Sequence, residues 1–164
     1  METYTITAKD LDNNGFYIGP DLSGGNVESN LNTTIKFNGD LTIKGYLRVD
    51  YSIKAGNSIK AGNSIEAGGS IEARYSIKAR YSIKAGDSIK AGLFIVCKAI
   101  SSGLRIFSGL CSWRIPSNEE MEIRCEKLIK GEICFGKLVI IKPTLEKSSG
   151  TFLVNFINRY STRK

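Results

Sequence analysis

The chain contains no histidine. That removes the side chain most often used for proton transfer near neutral pH, and with it a common zinc ligand. Proline is scarce, with three residues in 164, so the seventeen glycines mark tight corners and not a disordered Pro-rich tail. The four cysteines, Cys97, Cys111, Cys125 and Cys134, include no C-x-x-C pair. Without close Cys or His pairs a zinc site is not expected, and neither metal nor cofactor is called for. No apolar run approaches the roughly 18–20 residues that span a bilayer. The first residues, METYTITAKDLDNN, lack the basic-then-apolar layout of a signal peptide. A cytoplasmic protein with reduced, core-filling thiols is expected.

Catalysis is poorly provided for. A nucleophile here needs a Ser–Lys pair, a perturbed cysteine or a carboxylate dyad. Ser and Lys recur uniformly, whereas an active site breaks symmetry. Glu119, Glu120 and Glu122 read as a solvated loop cluster, and no phosphate-binding glycine motif occurs. The expectation is a non-enzyme.

What the chain does have is a repeat. The hexapeptides YSIKAG, NSIKAG, NSIEAG, GSIEAR, YSIKAR, YSIKAG and DSIKAG fill residues 51–92 without a break. In S-I-K-A-G-x, Ile and Ala alternate with a charged residue, the period-two pattern of a short strand with one buried face. The following Gly and variable residue supply a corner. Strands this short, broken at every hexapeptide, predict an all-β fold: a single-domain β-helix, or β-solenoid.

The phase runs further than the perfect repeats. TTIKFN (33–38), GDLTIK (39–44), GYLRVD (45–50) and LFIVCK (93–98) place Ile35/Phe37, Leu41/Ile43, Leu47/Val49 and Ile95/Cys97 in the inward slots. A three-residue slip at 99–101 then leads to SGLRIF and SGLCSW, with Leu104/Ile106 and Leu110/Ser112 inward, and a loop at 114–120. Beyond it, MEIRCE, GEICFG and KLVIIK offer Ile123/Cys125, Ile133/Phe135 and Val139/Ile141, interrupted by KLIK at 127–130. A five-residue spacing, Ile123, Leu128, Ile133 and Leu138, fits this last stretch equally well.

An open solenoid end is an exposed strand edge, so both ends need covers. Residues 1–32, with a strand expected at 3–8, form the N-terminal cap of this reading, and residues 33–142 form the solenoid. Residues 143–164 form a C-terminal cap. There Leu153, Phe156, Ile157 and Tyr160 make one apolar face of a short helix, followed by a basic tail of Arg159, Arg163 and Lys164. The same face offers a homo-oligomer contact.

Two coil lengths compete. A 12-residue, two-sided coil stacks Lys54, Glu66, Lys78 and Lys90 in one ladder. An 18-residue, three-sided coil stacks Lys54, Glu72 and Lys90, pairs Glu66 with Lys84, and leaves Lys60 beside Lys78. The alternation of charge leans toward the two-sided coil. The general habit of hexapeptide coils favours three sides, and the three-sided coil is preferred.

The Ile-centred hexapeptides invite comparison with left-handed β-helix acyltransferases, but Lys or Glu follows the Ile here and the histidine base of those enzymes is missing. Residues 33–98 resemble the bactofilins, polymer-forming bacterial β-helix proteins. That likeness implies a self-assembling scaffold. At the level of class, a small, compact non-enzyme of this size is similar to the inhibitors that phages and mobile elements direct against bacterial defence, anti-CRISPR proteins among them. That likeness implies a protein partner, such as a nucleic-acid-bound effector complex.

The net charge is +7 and uneven, with 9 basic and 3 acidic side chains in residues 51–111. Such a surface suits nucleic acid or an acidic protein face, or serves only to keep a stacked sheet soluble. The sharpest departure from the repeat is ARYSIKARY, where Arg74 and Arg80 replace Gly, and Tyr75 and Tyr81 fill the variable corner. With Tyr51 these residues are candidate partner contacts, since Arg forks onto phosphate or carboxylate and Tyr anchors interfaces. The alternative is that each Arg simply packs on the next Tyr. Trp113 and Arg114, leading into the loop, complete the candidate set, an end-closing role for the Trp being the other reading.

The leading expectation is a binding protein that blocks a nucleic-acid-processing complex. The alternatives are the scaffold and a direct nucleic-acid binder.

Overall fold

The computed structural model describes residues 1–143. The helix expected around Leu153 to Tyr160, and the basic tail after it, lie outside the described residues. The fold is an all-β parallel β-solenoid of about six turns. Eleven strands follow the hexapeptide phase without a slip, from Ile35–Phe37 to Ile95–Val96. Along the three-residue strands the first and third residues point inward and the middle one outward, which is what alternation of Ile and Ala with Lys or Glu dictates.

The coil has three sides. Ile35 pairs with Ile53 and Ile53 with Ile71, each three hexapeptides further along the chain. Leu41, Ile59, Ile77 and Ile95 form the second such column, and Leu47, Ile65 and Ile83 the third. Side one carries Leu47–Val49, Ile65–Ala67 and Ser82–Ala85. Side two carries Ile35–Phe37, Ile53–Ala55, Ile71–Ala73 and Ile89–Ala91. Side three carries Leu41–Ile43, Ile59–Ala61, Ile77–Ala79, Ile95–Val96 and Glu122–Cys125. The isoleucines stack into columns with almost no exposed surface, and Ala fills the second slot, so successive coils pack at the spacing of a parallel sheet, about 4.8 Å.

The lean of the charge pattern toward a two-sided coil does not hold. With three sides, side one alternates Glu28, Arg48, Glu66 and Lys84, with contacts of 3.9, 3.4 and 3.0 Å. On side two Lys54 meets Glu72 at 3.1 Å. Serines before each Ile add a ladder of their own at the corners. Ser76 bonds Ser58 at 3.2 Å, Ser82 bonds Ser64 at 3.0 Å, and the Ser70 amide donates to Ser52 at 2.9 Å.

The phase after residue 98 differs from expectation. The coil loses one residue at the corner, so Ile100 pairs with Ile83 and Ile106 with Ile89 along the strand Ala99–Phe107. Ile100 and Ser102 face the core, while Leu104 and Leu110 are exposed. SGLCSW forms no strand, and the irregular stretch runs from 108 to 118 before a 3-10 turn, Glu119–Met121. In the last coil the five-residue spacing prevails. Ile123 pairs with Leu138, three such steps further on, and Leu128, Ile133 and Leu138 pack against the core. Phe135 is exposed and Val139 takes the outward register of Arg124, contrary to the hexapeptide placement. Gly131, at φ 115°, turns the corner inside Lys127–Phe135.

At the other end, Thr3–Thr5 pairs with Asn26–Ser29, which pairs with Leu47–Val49 and so continues side one. Ile6 and Leu22 are buried with the solenoid core. The strand is shorter than expected because a 3-10 turn, Ala8–Asp10, follows it, with Asp10 accepting from the Thr7 amide at 2.7 Å.

Candidate functional site

A three-sided coil assigns every outward residue to a side, and the three sides differ in charge. Sides one and two interleave cations with Glu28, Glu66 and Glu72. Side three keeps its carboxylates to its ends, with Asp40 on the coil below and Glu122, paired with Arg124 at 2.7 Å, on the coil above. Between them three successive crossings, residues 56–64, 74–82 and 92–98, carry Lys60, Arg74, Lys78, Arg80 and Lys98 and no carboxylate. None of these five cations makes an ion pair among the described residues.

Aromatic rings brace four of the five. Arg74 lies 4.7 Å from the Trp113 ring and 5.9 Å from that of Tyr75. Lys78 lies 4.8 Å from Phe94, and Arg80 and Lys98 lie 5.5 and 5.3 Å from the same ring, Tyr81. Trp113 meets Tyr75 edge-on, with centroids 5.0 Å apart. The packing of Arg on the adjacent Tyr is therefore present. It also restricts the guanidinium, so that less side-chain entropy remains to be lost when an anion is bound. Arg74 and Arg80 remain exposed.

These two arginines have a structural consequence. A Cβ at Gly56, Gly62, Gly68, Gly86 or Gly92 would overlap a carbonyl oxygen of the coil below. Gly at this position lets coils approach closely, with amide bonds such as Gly62 N to Ile43 O at 2.9 Å. Where Arg replaces Gly the bond weakens. Arg74 reaches Ala55 O at 3.2 Å, and Arg80 makes no equivalent bond.

Trp113 and Arg114 belong to the loop that crosses the corner between sides two and three. Arg114 is a brace, with two bonds of 2.6 Å to Glu120, whose carboxylate also accepts from the Ser117 amide. The Arg114 hydrogen bonds hold the Glu120 carboxyl down at about 2. The loop so pinned leaves Ile115 94% exposed next to Trp113.

Of the residues singled out in the sequence, Arg74, Tyr75, Arg80, Tyr81 and Trp113 gather along the two edges of side three. Tyr51 does not join them, since it lies on the corner between sides one and two, beneath Gly69. Lys60, Lys78 and Lys98 were not singled out. Each looks like every other repeat Lys until the coil length places it, and the signal was the unbalanced Lys60/Lys78 rung of the three-sided register.

Cys97 and Cys125 are buried in the core, where desolvation raises both thiols and disfavours the thiolate. Cys134, which lies between the Ile133 and Phe135 slots read as inward in the hexapeptide phase, is exposed. Among the described residues no group of three or more His, Cys, Asp and Glu is placed to hold a metal, and no helix is long and apolar enough to cross a membrane. No protein-family model, no curated protein and no solved structure matches the chain. The bactofilin and anti-CRISPR resemblances thus find no support from relatives, and the β-solenoid stands on its own.

Proposed function

We propose that this protein is a rigid, non-enzymatic binding module that lays its third side against an anionic surface of a nucleic-acid-processing complex and blocks it by occupation. One observation carries the reading: five cations without an ion pair among the described residues, and no carboxylate, on three successive crossings of one side, beside a side one whose charges alternate and a side two where Glu72 sits between Lys54 and Lys90. Cations needed only for solubility have no reason to segregate onto one side. The corner arginines favour the same reading, because Arg80 gives up the coil-to-coil bond that Gly makes elsewhere, and Arg74 lengthens it to 3.2 Å, each for an exposed guanidinium. The anti-defence type of inhibitor is the finer form of this proposal.

Recovery of a tagged copy from cells tests it. The wild-type chain and a side-two variant, K54Q/K90Q, are expected to retain a stoichiometric partner that R74Q/R80Q loses. Equal retention by both variants, or no partner with the wild-type chain, would overturn the reading.

A further inference from the structure

Arg80 and Lys98 stand on adjacent coils of the corner between sides three and one, and both cations lie on the Tyr81 ring. Two like charges sharing one ring repel, and among the described residues neither is ion-paired with a carboxylate. Asn63 occupies the coil below Tyr81, and Glu126, on the coil above Lys98, bonds it only through the backbone and forms no ion pair with it. An oxyanion placed between the two cations would satisfy both. Lys78 and Lys60 extend the positive charge across the side at the coil spacing, so the surface offers a row of cations, not a pocket.

Resting on the docking reading above, we infer that Arg80, Tyr81 and Lys98 anchor the phosphodiester backbone of duplex nucleic acid along side three. A linear polyanion matches a row of cations spaced by the coil, and duplex DNA carries one charge per about 1.7 Å of its axis. The rings of Tyr75, Tyr81 and Phe94 are already engaged by Arg74, Arg80, Lys78 and Lys98. They are not free platforms for unstacked bases, which single-strand binders require. Contact through phosphate alone reads no sequence.

The test is fluorescence anisotropy of a labelled, mixed-sequence DNA duplex titrated with the full chain across a range of salt. Five phosphate contacts predict a log–log salt slope of about −4.5, from about 0.9 per contact. R80Q/K98Q is expected to weaken binding and flatten the slope by about 1.8, while K54Q/K90Q on side two leaves it unchanged. R80K/K98R keeps the slope, since charge and not side-chain identity sets it. Circular dichroism of each variant separates lost binding from lost fold.

No duplex binding by the wild-type chain at low salt would overturn the inference. So would displacement of the duplex by polyglutamate as readily as by unlabelled DNA, which would point to an acidic protein instead. If the duplex fails to bind but R74Q/R80Q still loses the cellular partner, the phosphate inference falls and the docking reading stands. Equal loss with K54Q/K90Q removes both.

Discussion

Returning the two corner arginines to the repeat consensus separates a functional role from a structural one, because the two roles predict opposite results. In R74G/R80G each site loses cation–π contacts at an exposed ring, about 0.5–1 kcal/mol. Glycine also enlarges the unfolded ensemble, for about another 0.5–1 kcal/mol. Against this, the corner can close to the geometry of Gly62 and Gly86, whose amides bond the coil below at 2.9 and 3.0 Å. Arg74 now bonds at 3.2 Å and Arg80 not at all, so each site stands to regain up to one ladder bond, about 0.5–1.5 kcal/mol. The terms nearly cancel, and the double variant should unfold within about 1 kcal/mol per site of the parent in urea. Partner capture should nevertheless fail, because two of the five unpaired cations are gone. A destabilisation beyond about 2 kcal/mol per site, or capture that survives, would refute the reasoning.

Ile77 is fully buried between Ile59 and Ile95, in a ladder whose backbone cannot collapse into a void. Ile77→Ala should therefore fall in the upper half of the usual range, about 4 kcal/mol by urea denaturation, and a loss below about 1.5 would contradict the packing account. Gly62→Ala places a Cβ against the Lys44 carbonyl and should destabilise by about 1–3 kcal/mol, mainly through a lost ladder bond, which hydrogen exchange of the Gly62 amide would register. The loop brace should be insensitive to mild acid. The folded Glu120 carboxyl sits at about 2, below its ordinary value, so its contribution is full above the unfolded value of about 4.5 and is lost only as pH falls through about 2. Trp113 fluorescence should hold steady through pH 4 and change toward pH 2. A transition centred near pH 4.5 would show that the Arg114 pair does not form.

The solenoid was legible because alternation of Ile and Ala with Lys leaves one arrangement for residues 33–98: strands with one buried face, in phase from Ile35 to Ile95. Coil length was harder to read. The repeats are nearly identical, so a two-sided and a three-sided coil bury the same side chains and differ only in which charges meet. Judged within the perfect repeats, those charges misled. The pairs that settle the matter include Glu28 and Arg48, which lie before them. Past residue 98, one residue dropped at a corner moved Ile100 inward and Leu104 outward, and no local signal distinguishes a one-residue slip from a three-residue slip. The candidate site was half legible for the same reason. Arg74 and Arg80 break the pattern and draw notice, whereas Lys60, Lys78 and Lys98 matter through their position on the coil. Tyr51 shares its residue type and corner slot with Tyr75 and Tyr81 but faces another edge.

The claim that side three is the working surface can be tested directly by lysine-reactivity footprinting of the chain alone and in its isolated complex. Lys60, Lys78 and Lys98 should become protected, while Lys36, Lys54 and Lys90 on side two keep the reactivity they have in the free protein. Protection concentrated on side two, or spread evenly over both sets, would contradict the account.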